Sequence, residues 1–117
     1  MDYEKITSQI KQVQEQQDQN REHLKQHDQL EQDIHELNAK GKRLFNELSD
    51  TWGKDQRMAL EVDQNKNELL YNERRIRFEL EEKKESLLKE KRELYDLEEE
   101  LFTKRKQYVK KKRKSES

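Results

Sequence analysis

In the first half of the chain, apolar residues return every three or four positions, the spacing of a helix that buries one stripe. Tyr3, Ile10, Leu24 and Phe45 share one heptad position, interrupted by Gln17, Glu31 and Asn38. Ile6, Val13, Ile34 and Leu48 share the second, interrupted by Asn20, His27 and Gly41. Leu30, Leu37 and Leu44 occupy a neighbouring position. The stripe is therefore narrow before residue 24 and wider after it. A two-position stripe suits one partner helix, whereas a wider one suits contact with more than one.

The second half repeats the pattern more strongly. Leu80, Leu87, Leu94, Leu101 and Tyr108 lie seven apart, and beside them run Leu88, Tyr95, Phe102 and Val109. Upstream, Val62, Leu69 and Ile76 form a shorter series, with Met58 leading in. Between the halves lies Ser49-Asp50-Thr51-Trp52-Gly53-Lys54-Asp55-Gln56. Gly53 tolerates positive φ and so suits a chain reversal. Asp50, Thr51 and Asp55 are each able to cap the helix that follows. Gly41 is a competing break, but the seam continues past it through Leu44 and Leu48.

The pattern predicts one all-α domain over 1–114: two long antiparallel helices forming a helical hairpin with coiled-coil-like packing. Helix 1 is expected at about 3–48 and helix 2 at about 55–112, with the turn near 49–54 around Trp52 and Gly53. Residues 113–117 read as a basic, polar, disordered end. Leu87, Leu94 and Leu101 point toward helix 1 of the same chain. Leu88, Tyr95 and Phe102 sit about 100° further round, so the same helix cannot cover them fully. Together with Leu30, Leu37 and Leu44, they make up the expected partner-binding face.

Composition agrees with long helices and excludes most alternatives. Of 117 residues, 28% are hydrophobic and 45% charged, too few apolar groups for an ordinary globular core. There is no proline and only two glycines, which leaves a β-rich fold without its turns. No cysteine is present, so disulfides, thiol catalysis and Cys-ligated zinc are excluded. The N-terminal Met1-Asp2-Tyr3-Glu4-Lys5-Ile6 lacks a signal-peptide core. The apolar runs, such as Met58-Ala59-Leu60, Leu69-Leu70 and Leu87-Leu88, are at most three residues long, far short of a membrane span. The expectation is a soluble protein made on the cytoplasmic side, with no membrane insertion.

The net charge of −1 conceals a polarity. Residues 1–50 hold seven Lys/Arg against eleven Asp/Glu, and residues 51–103 hold eleven against fifteen. Residues 104–117 hold eight basic residues and one acid, Glu116. A basic helix end complements the negative pole of the helix dipole. It can also dock phosphate, nucleic acid, anionic lipid or an acidic partner surface. Few aromatic residues interleave the run for base stacking, Tyr108 alone being close, so nucleic acid is the weaker reading.

Nothing in the sequence assembles an active site. His23 and His27 stand four apart, a metal-compatible spacing, with Asp28 or His35 as a third ligand. No recognised pattern is completed, and the histidines read as polar positions on or near the seam. Carboxylates abound, but a general acid needs a pocket that perturbs it, and two helices offer no cleft. The expectation is a protein that is not an enzyme, binds no cofactor or metal, and takes no small-molecule substrate.

Trp52-Gly53 in a turn between two helices is similar to the WXG-type helical hairpins of type VII secretion, although here Trp and Gly are adjacent. Those proteins carry a Tyr-x-x-x-Asp/Glu export signal after the second helix. Tyr95 and Glu99 match it from within the helix. The cluster Leu44-Phe45-Asn46-Glu47-Leu48, leading into Trp52-Gly53-Lys54-Asp55, and then Arg75-Ile76-Arg77-Phe78-Glu79-Leu80, resembles the LXG-associated α-helical proteins. These are small partners encoded with LXG toxins in Gram-positive bacteria. The likeness is to the class without a Phe-x-x-x-Asp motif, since Phe45, Phe78 and Phe102 are followed four residues on by Ser49, Glu82 and Lys106.

The resemblance implies a targeting chaperone that binds the N-terminal helical LXG domain of a toxin. With a second small helical protein, it makes the toxin competent for export. It implies a cytoplasmic location and leaves co-export with the cargo open. The competing readings are a homodimeric structural coiled coil and a coiled coil with a nucleic-acid-binding or nuclear-import tail.

Overall fold

The computed structural model describes residues 2–116, with side chains described through Lys114. It is an all-α helical hairpin of two elements, α1 (Asp2–Trp52) and α2 (Gln56–Glu116). The periodicity ends helix 1 near 48 and helix 2 near 112, whereas both helices continue further. α2 runs through the segment expected to be disordered as far as Glu116, and Ser117 lies outside the described residues.

The chain divides into two compact units. A terminal unit joins Met1–Lys25 to Glu85–Ser117, and a turn unit comprises Gln26–Lys84. In the terminal unit, Ile10 and Val13 of α1 pack on Leu94 and Leu101 of α2, with Ile6 and Phe102 partly buried against them. Burying each such side chain is worth about 1.5–3 kcal/mol. The Tyr3 and Tyr108 rings meet at 6.2 Å, and the Arg105 guanidinium lies 5.2 Å from the Phe102 ring centroid.

Two amides of α1 reach backbone oxygens of α2 in this unit. Asn20, 1% exposed, donates from Nδ2 to the Leu87 carbonyl at 2.9 Å and to Glu90 Oε1 at 3.2 Å. Gln17 Nε2 makes a longer contact, 3.5 Å, to the Leu94 carbonyl. A helical carbonyl has a second lone pair, so it can accept such a bond while keeping its helix partner. Buried polar groups of this kind fix which residues face each other across a helical seam.

In the turn unit, Val62 is the most buried apolar side chain, with Ile34, Phe45, Leu48, Leu69 and Leu80 half-buried. Gly41 belongs to α1 and breaks nothing. A Cβ there would stand 3.2 Å from Leu69 Cδ2, so the missing side chain leaves room for that leucine. Glu73 is buried, and its Oε1 takes Arg77 Nη2 at 3.1 Å and Lys42 Nζ at 3.4 Å, so the carboxylate is paired.

The reversal occupies Gly53–Asp55, inside the expected 49–54 window but for its last residue. Of the three candidate caps, Asp55 does the work. Its Oδ1 accepts the Arg57 and Met58 amides at 3.0 and 3.2 Å, while its carbonyl accepts the first helical bond, from Ala59, at 2.8 Å. Thr51 instead donates from Oγ1 back to the Glu47 carbonyl within α1. The expectation of positive φ at Gly53 is corrected: no glycine has it among the described residues. Glycine is required there by contact, because a Cβ would fall 2.5 Å from the Ser49 carbonyl oxygen.

Candidate functional site

A helix in a two-helix pair spends one stripe on its neighbour, and any further apolar column is left for something else. α1 shows this clearly. From Ile6 to Leu48, the alternating three- and four-residue seam is buried or half-buried at every position, including Gln17, Asn20, His27, Glu31 and Asn38. Leu30, Leu37 and Leu44, one heptad apart in the turn unit, stay outside it at 47%, 68% and 54% exposure.

On α2 the partner-face candidates divide. Leu88 is 37% and Tyr95 51% exposed, whereas Phe102 is half-buried against the terminal core. These three belong to the terminal unit, so the six expected residues fall into two triplets, one in each unit. The column that accompanies Leu87, Leu94 and Leu101 into the seam is Lys84, Lys91, Glu98 and Arg105, each half-buried. Long side chains can lay their aliphatic stems on apolar surface and keep the charge in water.

The structure also exposes apolar residues that the periodicity does not single out as a face. Tyr71 and Phe78, seven apart in the turn unit, are both largely open to solvent, as is Leu60 nearer the turn. Their spacing alone could have marked them, but the stronger series Val62, Leu69, Ile76 masks it. Trp52, the last residue of α1, is partly exposed beside Gly53. It lies at the turn as expected, with its ring partly open rather than enclosed.

Among the described residues, one group of side chains is close enough to share a metal ion. His23 is exposed, so the pair expected with His27 is not the group that gathers. His27, Asp28 and Glu31 come together instead, with ligand atoms within 4.8 Å of one another. Beside Glu31 is a groove of about 400 Å³ in the turn unit, lined by His35, Asn38, Glu73, Arg77 and Leu80 among others. Near the basic end, Tyr3, Arg105, Lys106, Val109 and Lys110 border a second, shallower recess. No helix among the described residues is long and apolar enough to cross a membrane.

A family model described as "Protein of unknown function (DUF3958)" matches residues 2–108. No curated protein and no solved structure matches the chain.

Proposed function

The chain belongs to the DUF3958 family, and we propose that it is a non-enzymatic helical adaptor, a targeting chaperone for a secreted toxin. In this reading it binds the N-terminal helical LXG domain and, with a second small helical protein, supports export by type VII secretion. It meets its cargo in the cytoplasm.

The observation that carries the reading is the column Leu30, Leu37 and Leu44, exposed on a helix whose seam is already filled. Leucines left in water at heptad spacing favour a further helix, because each can enter a hole between side chains of an incoming helix. An unpartnered apolar column of this kind marks an interaction surface. The choice of an LXG domain as the partner rests on the resemblance at Trp52-Gly53 and in the two flanking clusters.

Co-purification with the LXG domain of a neighbouring toxin gene tests this. The variant Leu37→Glu/Leu44→Glu should keep its helical circular dichroism and lose the complex. Burying one large side chain is worth about 1.5–3 kcal/mol, so losing two weakens association about a hundredfold or more. Tyr95→Glu tests the second triplet in the same way, while Leu87→Glu serves as a control that damages the hairpin itself. Normal binding by the double variant sinks the assigned face. If the wild-type chain ignores the toxin and the substitutions abolish self-association, the homodimeric coiled coil takes its place.

A further inference from the structure

We propose that His27, Glu31 and Asp28 form a binding site for one divalent transition-metal ion, with Zn²⁺ the best match, on the turn-unit part of α1. The inference is independent of the adaptor reading.

His27 is 5% exposed, and its Nε2 lies 2.8 Å from the Leu80 carbonyl oxygen of α2. A carbonyl can only accept, so Nε2 carries a hydrogen and donates it. In the neutral ring the other nitrogen, Nδ1, is then a bare lone pair. Nδ1 is buried and has no hydrogen-bond partner. An unsatisfied buried acceptor is costly, so something should meet it.

What faces it is Glu31 Oε1, 3.4 Å away and one helical turn along. An ionised carboxylate is also acceptor-only. Two acceptors this close, with no hydrogen bond between them, are reconciled by a cation that both can bind. Zinc bonds of 2.0–2.1 Å to imidazole nitrogen and 2.0–2.2 Å to carboxylate oxygen place the two ligand atoms about 3.3–3.5 Å apart at the tetrahedral angle. The observed separation falls within that span. Asp28 adds a third ligand oxygen within the same 4.8 Å cluster, and its exposed side chain is free to swing closer.

The arrangement also has the outer support that metal-binding histidines use. A ligating imidazole usually donates its other N–H to a carboxylate or backbone carbonyl, which fixes both tautomer and ring orientation. Here the Leu80 carbonyl already does so before any ion arrives. Two carboxylates and a neutral imidazole balance a 2+ ion. A water can complete the tetrahedron. Because the bond to Leu80 crosses from α1 to α2, a bound ion also stiffens that crossing.

The competing occupant is a proton, which would make Nδ1–H a donor to Glu31. The experiment separates the two on the full chain. Isothermal titration with Zn²⁺ should give one site per chain, and Co²⁺ should give a d–d absorption band. Long-range ¹H–¹⁵N spectra of the imidazoles should show Nδ1 of His27 shifting on Zn²⁺ addition while Nε2–H persists, with His23 and His35 unmoved. Loss of an outer-shell partner typically costs about 10–100-fold in affinity, so Glu31→Gln and His27→Gln, which remove ligands, should each cost at least that. Glu31 is partly exposed, so its variant decides the matter even if His27→Gln unfolds. Absence of a saturable site overturns the proposal, as does affinity unchanged in Glu31→Gln. So does an Nδ1–H that Zn²⁺ at neutral pH fails to displace.

Discussion

Asn20 of α1 donates its side-chain N–H to the carbonyl oxygen of Leu87 on α2 at 2.9 Å, with almost no exposure to water. An amide at a seam position gives up apolar burial, and what it returns is register: only one sliding position of the helices brings Nδ2 to that oxygen. Coiled coils use single buried asparagines in this way. Asn20→Ala, which leaves a hole and an unmet carbonyl lone pair, should cost about 1–3 kcal/mol in urea unfolding. Asn20→Leu should unfold at equal or higher urea while its cross-helix distances, read by paired spin labels, broaden. A Leu variant with both lower stability and an unchanged narrow distance would contradict the register role.

The core of the terminal unit separates two neighbouring leucines. Leu87 is buried and Leu88 is not. Leu87→Ala should therefore destabilise by about 2–5 kcal/mol, whereas Leu88→Ala should stay close to the roughly 0.5 kcal/mol typical of surface changes. Thermal and urea melts of the two variants check the assignment, and equal losses would mean the face is rotated.

At the turn, Gly53 is held by a contact. Any Cβ there meets the Ser49 carbonyl oxygen at 2.5 Å, and backbone cannot move aside cheaply. Gly53→Ala should lose about 1 kcal/mol or more, because the native backbone does not accommodate the new methyl. D-Ala at this position is not expected to relieve it through a left-handed conformation, since φ is not positive. A neutral or stabilising Gly53→Ala would indicate that α1 and α2 join differently.

Asp55 caps α2 by accepting two amides on one oxygen, and its charge sits at the positive end of the helix. Asp55→Ala should cost about 1 kcal/mol, and Asp55→Asn, which keeps the acceptor oxygen, much less. Hydrogen exchange at the amides of Arg57 and Met58 should accelerate in the Ala variant alone. Equal protection in both variants would remove Asp55 from the capping role.

Much of this protein is legible in its sequence because a helix is a local structure with a fixed period. The heptad columns from Ile6 to Leu48 identify the α1 seam residue by residue, polar interruptions included. The lack of proline and the single Gly53 beside a run of capping residues locate the reversal within a few positions. These signals need nothing beyond neighbours one or two turns away.

Other features depend on where the second helix lies, which periodicity cannot state. Leu87 has two candidate companion columns: Leu88 with Tyr95, and Lys84 with Lys91. Hydrophobicity favours the first, yet the second is half-buried, because the approach of α1 chooses the flank and lysine stems can cover it. The same holds at His27. Its column is evident from spacing, but which ring nitrogen carries the hydrogen depends on the Leu80 carbonyl, 53 residues away. That one contact across the hairpin leaves Nδ1 facing Glu31 and turns a polar interruption of the seam into a candidate ligand.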